Sequence, residues 1–561
     1  MLISDEQLRK LVLSVKLLDE KRLGEIVEYA KNSDIRLADG LIEKDVITDE
    51  NLGILIADFL KIPFIVLSKI SITDDVFRVI PERIARKYKV IPFARDQNGV
   101  KLAMMDPGNK LIQEMVTRKT GQKAIPYLAT ERDIYGKLWI YRKDLQKTFD
   151  TLIAEQVKTA GKSKSVEAPI EVIVDLIIKY AYQDMASDVH IEPEEKNTLI
   201  RFRVDGILHD VLFLPKEIHD QIITRIKVLS SLRTDEHQTP QDGKMKLLLE
   251  EEELDIRVSI LPIVYGEKVV LRLLASHFRQ FSLVDLGMTE KDLQKITNSF
   301  KKSFGMILST GPTGSGKTTS IYSILKIVNT REKNITTIED PVEYRIKGVN
   351  QIQTNARSEL TFASGLRSIL RQDPNIIFVG EVRDSETAGI AVNAALTGHL
   401  VLSTLHTNDS AGALPRLTDM HVEPFLVSST INVIVAQRLI RKICDMCKTS
   451  TDVTKEQLLL NLSEEIVKKH FGEGEEFRIY KGAGCDVCHK TGFSGRIGIF
   501  EVLEISPEIK KLINQKSDSS VILAQAIKDG MDTMLDDGLK KVKKGLTSIE
   551  EVLRVTKIEE L

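Results

Sequence analysis

Apolar residues along this chain follow two different periods. From residue 305 onward, short strand-like runs at 305–309, 335–339, 376–379 and 400–405 alternate with stretches of helical spacing. Alternation of this kind is the pattern of a parallel sheet covered by helices. Upstream, Thr198–Val204, Ile207–Phe213 and Leu254–Leu261 read as alternating strands, with a helix Ile218–Ser230 between the last two. That segment is expected to be a smaller α/β domain. It opens on a helix with Pro169 near its start and Ile170, Ile173, Val174 and Ile177 on one face. The first part of the chain reads as amphipathic helices such as Asp19–Ala30 and Asp49–Leu60, then a short strand Ile62–Leu67. Strands Tyr88–Ala94 and Val100–Met105 and a closing helix Thr130–Tyr141 follow. Between Glu155 and Ala168 the apolar period disappears, and Thr159–Ser165 is rich in Lys, Ser and Gly, which predicts a flexible linker. The expected organisation is an N-terminal α/β domain at 1–150, a linker at 151–168, a middle α/β domain at 169–282 and a third α/β domain at 283–561.

Composition narrows the function classes. At 561 residues the chain is too long for one core, and 42% hydrophobic with 29% charged residues is the balance of an ordinary globular protein. No apolar run approaches the ~18 residues that cross a bilayer. Met1-Leu2-Ile3-Ser4-Asp5-Glu6 has neither a basic region nor an apolar core of a signal peptide, so a cytoplasmic location is expected. Lys and Arg number 79 against 81 acidic residues, a formal charge of −2, which gives no global attraction to nucleic acid.

The sharpest chemical signal is Gly311-Pro312-Thr313-Gly314-Ser315-Gly316-Lys317-Thr318, followed by Thr319. It fits G-x-x-x-x-G-K-[ST] between an apolar run and a helical stretch. Glycines let successive backbone N–H groups turn toward phosphates at the positive end of the helix. Lys317 is expected at the β and γ phosphates, and the Thr318 hydroxyl on a magnesium ion. The alternative is a glycine-rich strand-to-helix turn without a ligand. Two acidic segments follow strands: Gly380-Glu381 after Ile376–Val379, and Glu339-Asp340-Pro341-Val342-Glu343. Acids gathered at the carboxyl ends of parallel strands are costly without a cation, and magnesium-bound triphosphate supplies one. Taken singly, either segment could also be a solvated acidic loop.

All four cysteines lie in two C-x-x-C knuckles, Cys444/Cys447 and Cys485/Cys488, with 37 residues between. Four thiolates at this spacing suit one closed, structural zinc site, with a helical insertion (Thr454–His470) looping out between the knuckles. Unligated buried cysteines are the alternative reading.

The run Leu370-Arg371-Gln372-Asp373-Pro374-Asn375 continuing to Asp384, with Thr397-Gly398-His399 continuing to Asn408, resembles the ATPases that power type II secretion and type IV pilus assembly. The resemblance extends over nearly the whole chain from about residue 60. It implies a RecA-like ATPase domain preceded by a smaller PAS-like domain. Thr337–Glu343 then matches the aspartate box, with Glu339 and Asp340 in support, Glu381 the Walker B glutamate, and His399 and His406 the histidine box. Glu343 would orient or deprotonate the attacking water, with Glu381 assisting through magnesium or sharing that role. Seven residues apart and bracketing a strand, the two histidines are expected to face opposite ways, which suits sensing or hydrogen bonding better than a shared metal. Arg257 and Arg272 match middle-domain arginines that lean onto the phosphates, and Arg367 and Arg371, one helical turn apart, match arginines at the subunit boundary.

The tetracysteine element and the C-terminal segment from Gly530 to Thr556 also resemble the family, and favour an extension or secretion motor over a retraction motor. By resemblance the protein would be a homohexamer using ATP, magnesium and zinc, peripheral at the inner membrane through a platform protein and other machine components, without nucleic acid. Two departures stand out. Arg36-Leu37-Ala38, Asp45 and Phe59 fall where some relatives carry a cyclic di-GMP motif, so that ligand is not carried over. Asn375 stands where many relatives have Asp, while Asp373, Glu381 and Asp384 remain. The rival readings are a nucleic-acid-dependent RecA-like motor and a nucleotide-binding regulator without turnover.

Overall fold

The computed structural model describes residues 3–33, 35–44, 46–70, 72–138, 170–249, 253–274, 282–355, 358–485 and 488–556. The expected linker at 151–168 lies outside them. Contacts divide the chain into two units, residues 71–105 with 109–280, and residues 1–70 and 106–108 with 281–561.

The first of these units contains two sheets. In the smaller one, β1 (Val90–Asp96) pairs antiparallel with β2 (Gly99–Met104), and β2 runs parallel to β3 (Ala124–Leu128). The helix Lys110–Thr120 makes the crossover between β2 and β3. The larger sheet has six antiparallel strands, in the order β6 (Ile207–Pro215), β5 (Asn197–Val204), β4 (Asp188–Pro193), β9 (Gly266–Leu274), β8 (Glu253–Ile263) and β7 (Gln241–Leu248). Alternate residues of β8 and β9 are buried, among them Leu254, Ile256, Val258, Val269, Leu271 and Leu273. They form one core with the apolar faces of helices Ile170–Gln183 and His219–Leu229.

In the other unit a seven-stranded sheet is ordered β12 (Asn350–Gln353), β11 (Ile335–Glu339), β13 (Ile376–Val379), β14 (Leu400–Leu405), β10 (Gly305–Thr310), β15 (Ile431–Ile443) and β18 (Phe493–Glu504). The first six are parallel, and β18 is antiparallel to β15. The residues of β10, β11, β13 and β14 are all buried, as in a parallel sheet covered on both faces. Helix Lys317–Val328 packs on one face, with Ile321, Ile324 and Leu325 in the core. Helix Ser385–Leu396 covers the other through Ala388, Ala391, Ala394 and Ala395. The predicted strand Ile62–Leu67 is not formed: Phe64 makes a single bridge, and a 3-10 turn follows at Leu67–Lys69.

Within this unit the N-terminal helices reach the end of helix Lys317–Val328. Lys44 Nζ donates to the carbonyls of Lys326 (2.5 Å), Asn329 (2.9 Å) and Ile327 (3.1 Å), while Glu43 pairs with Lys326 at 3.1 Å. The last carbonyls of a helix have no intrahelical donor, and a cation there also complements the helix dipole. Burial lowers the Lys44 pKa to about 8 despite the opposing charge of Glu43. Lys44→Met, which keeps the apolar stem, is expected to cost about 1–3 kcal/mol in the attachment of residues 1–70. Hydrogen exchange should rise in helices Glu20–Ser33 and Leu37–Glu43. Exchange equal to that of the unmodified chain would contradict this role.

Candidate functional site

The loop Gly311–Gly316 leaves the carboxyl end of β10 and turns into the helix that starts at Lys317. Gly311 and Gly316 have φ of +141° and +90°. A Cβ at Gly311 would stand 2.4 Å from the Gln437 carbonyl, and one at Gly316 2.6 Å from Gln437 Nε2. Only glycine is accommodated at both places. Lys317, 8% exposed, folds back so that Nζ donates to the carbonyls of Gly311 (2.7 Å) and Pro312 (3.0 Å). Burial lowers its pKa, and the Glu381 charge opposes the shift. The buried Ser315 Oγ has no protein hydrogen-bond partner.

Sequence reasoning missed Gln437. It lies on β15, buried, and donates from Nε2 to the Ser315 carbonyl at 2.7 Å while accepting from Ser320 Oγ at 2.6 Å. One side chain thereby fixes the loop and the first turn of its helix. An amide directly after the apolar run Val433–Ala436 was the available signal, because a buried polar group in a strand needs a partner.

Acids and a histidine line the same sheet edge. Glu381 follows β13 and His406 follows β14, and those strands are neighbours. Glu381 is 8% exposed; its Oε2 contacts His406 Nε2 at 3.1 Å and its Oε1 contacts Arg383 at 2.5 Å. Thr404 Oγ1 donates to the Gly380 carbonyl at 2.7 Å, tying the two strand ends together. Because β14 also neighbours β10, Lys317, His406 and Glu381 come from three adjacent parallel strands at their carboxyl ends. Ligands bind in open α/β sheets at such an edge.

The remaining expected residues are distributed more widely. His399 precedes β14, at the opposite end from His406, and its Nδ1 contacts the Ala394 carbonyl at 3.0 Å. Glu339 is turned inward and only 2% exposed, whereas Asp340 is exposed and Glu343 half-buried. Arg367 and Arg371 are exposed, the former paired with Glu386 and the latter bonded to the Arg367 carbonyl and Ser368. Asn375 sits at the amino end of β13, where its side chain accepts from the Asn334 amide at 2.7 Å. Asp384 caps helix Ser385–Leu396 by accepting from Thr387.

In the other unit, Arg257 and Arg272 are cross-strand partners on β8 and β9. Both lie on the face away from the core. Arg272 Nε contacts Asp188 at 3.1 Å with its side chain 59% exposed, and Arg203 approaches the same carboxylate at 3.6 Å.

The two knuckles meet beside the β15–β18 pair. Between them lie the ribbon β16 (Lys448–Thr454) and β17 (Glu476–Gly482) and two short helices, Lys455–Leu459 and Glu464–Phe471. The four Sγ atoms lie within 4.8 Å of one another. Separations of 3.9 Å (Cys444–Cys485), 3.8 Å (Cys447–Cys488) and 3.7 Å (Cys485–Cys488) match the ~3.8 Å edge of a tetrahedron with Zn–S bonds of about 2.3 Å. Backbone amides of Gly484, Cys485 and Gly492 donate to these sulfurs at 3.2 Å, the arrangement that stabilises thiolates. The donor set fits zinc.

Comparison with known proteins agrees with this architecture. The family described as type II/IV secretion system protein matches residues 163–554, and the MshEN domain matches residues 60–138. The chain is 35% identical over 561 residues to the type IV pilus assembly ATPase PilB of Myxococcus xanthus, covering 98% of each chain. It is 44% identical over 393 residues to the type II secretion system protein E of Pseudomonas aeruginosa, covering 70% of this chain and 76% of that one. Among solved structures, the ATPase DotB of Legionella pneumophila shares the fold with a TM-score of 0.51 at 20% identity, covering 69% of this chain and 95% of that one.

Proposed function

This chain belongs to the type II/IV secretion system protein family, and from that premise we propose that it is an ATP hydrolase driving assembly of a type IV pilus, or the related secretion of proteins. The observation that carries the reading is the meeting of the Lys317 loop with Glu381 and His406 at one edge of the parallel sheet. Backbone N–H groups of Gly314–Thr318, Lys317 and Thr319 hold the phosphates. Thr318 and Glu381 would hold a magnesium ion, which would supply positive charge to the phosphates. Glu343 orients or deprotonates the attacking water, and His406 keeps the Glu381 carboxylate in place. Asn375 is at the far edge of the sheet, so its departure from the family pattern leaves this chemistry untouched.

Arg257 and Arg272 supply guanidinium groups to the charge that develops on the γ-phosphate. Both are on a solvent-facing surface of their sheet, as such a role requires. Their approach and withdrawal form the working stroke, in a homohexamer docked on an inner-membrane platform protein at the cytoplasmic face. No described helix is long and apolar enough to cross a membrane. Matching a pilus assembly ATPase over 98% of both chains favours pilus assembly over secretion.

The test is ATP turnover of the full chain and of Arg257→Ala/Arg272→Ala, each with and without duplex DNA. Loss of the pair should lower kcat at least about 10³-fold with nucleotide affinity little changed, because fingers of this kind contribute 10³ to 10⁵. DNA should leave the rate unaltered. Turnover of the double variant at the unmodified rate removes the stroke, and stimulation by DNA that weakens with salt would favour a nucleic-acid motor.

A further inference from the structure

Glu339 is the last residue of β11 and opens the acidic segment, yet it is only 2% exposed and its carboxyl group faces a phenol. Tyr322 is on the helix that begins at Lys317, is fully buried, and donates from its hydroxyl to Glu339 Oε2. The same hydroxyl accepts from the Glu343 amide at 3.3 Å and from Gln351 Nε2 at 3.3 Å. Glu339 Oε1 accepts from Thr337 Oγ1 at 2.5 Å and from Gln351 Nε2 at 3.2 Å. Gln351 also donates to the Tyr344 carbonyl at 3.1 Å and accepts from the Ile346 amide at 2.7 Å. Both carboxyl oxygens and the phenol oxygen thus have partners, the two protons of the Gln351 amide being shared among three acceptors.

Ring contacts extend the arrangement. The Tyr322 ring meets Tyr344, the neighbour of Glu343, edge-on at 4.6 Å, and Phe378, on the strand that ends before Glu381, at 6.2 Å. One residue of the phosphate-loop helix is therefore keyed to both acid-bearing segments. Among the described residues no lysine or arginine forms an ion pair with Glu339, and burial raises the pKa of both Glu339 and Tyr322, so the phenol keeps its proton. A carboxyl buried without a cation is an expensive way to fill a core that apolar side chains would fill as well. Fully satisfied, such a network instead fixes geometry.

We propose that Tyr322 is a positioning residue for the hydrolytic step: anchored by Glu339 and Gln351, its hydroxyl fixes the main chain of Glu343 relative to the helix that begins at Lys317. Glu339 is then an anchor for the phenol, not a metal ligand. This rests on the reading of Glu343 as the residue that prepares water.

A double-mutant cycle on the full chain tests it, with Tyr322→Phe, Glu343→Gln and the combined variant, reading kcat and the Kd of a fluorescent ATP analogue. Tyr322→Phe keeps the ring contacts and is expected to lower kcat 10- to 50-fold with Kd within twofold. Glu343→Gln should lower kcat further, and the combined variant should be no slower than Glu343→Gln alone. Losses that multiply, or a Tyr322→Phe variant within twofold of the unmodified kcat, overturn the proposal. If Glu343→Gln turns over normally, the assignment of Glu343 fails first, and the positioning role with it. Gln351→Leu, on the edge strand β12, is the second variant should Tyr322→Phe not fold. A several-fold loss in kcat that disappears in the Glu343→Gln background supports the proposal, and an unmodified kcat overturns it.

Discussion

Lys317→Ala is expected to lower ATP turnover by roughly 10²–10³, the effect of removing one preorganised donor from developing charge, while the fold survives. The Lys317 Nζ bonds to the Gly311 and Pro312 carbonyls are local to the loop. Pro312 is exposed, so its carbonyl can turn to water, whereas the Gly311 bond is buried, and their joint loss costs about 1–3 kcal/mol. The loop keeps its course because Gln437 continues to grip the Ser315 carbonyl and Ser320 from β15. A large loss in rate with a small loss in stability therefore separates chemistry from folding. Steady-state hydrolysis and thermal unfolding measured on the same preparation check it. A variant that keeps more than a tenth of the turnover would mean that the charge at this loop is not used in catalysis.

Much of this site could be read from the chain because its determinants are local. The phosphate loop carries its glycines, lysine and hydroxyl within eight consecutive residues, and the strand-like runs 335–339 and 376–379 lead directly to Glu339 and Glu381. The two knuckles were legible for the same reason, since C-x-x-C is a local spacing with few other uses. What sequence could not supply were partners distant along the chain. Gln437 meets Ser320 across 117 residues, and the orientation of Glu339 is set by Tyr322 and Gln351 on other elements. The same acid that looked like part of a metal-facing cluster is therefore turned into the core, leaving Asp340 exposed and Glu343 half-buried beyond it. Ile62–Leu67 misled for the converse reason: it is apolar enough for a strand, but Pro63 has no amide to donate, and the segment forms only one bridge before turning.

Zinc removal is the other change expected to have a large effect, and its effect should be local. Structural zinc in small peptides carries about 10–16 kcal/mol of apparent binding free energy, which there is the folding free energy. Here the knuckles sit on a base that does not need the metal. β15 and β18 pair from Val433 opposite Glu504 to Ile443 opposite Phe493, and Ile440 and Ile499 are buried with Leu539, Val542 and Val552. The ribbon β16–β17 and its two helices pack onto this same core through Leu458, Val467 and Ile479, but their entry and exit are set by the knuckles. One zinc per chain is expected by elemental analysis, and none in Cys444→Ser/Cys485→Ser. Hydrogen exchange should then rise across 444–485 and 488–492, while β15 around Gln437 stays protected. Because Gln437 is fixed by Ser315 and Ser320, kcat should fall less than about tenfold, far less than the loss that follows removal of a charge from the phosphate loop. Zinc retained by the double variant, or exchange unchanged between the two proteins, would show that the four sulfurs do not hold the metal.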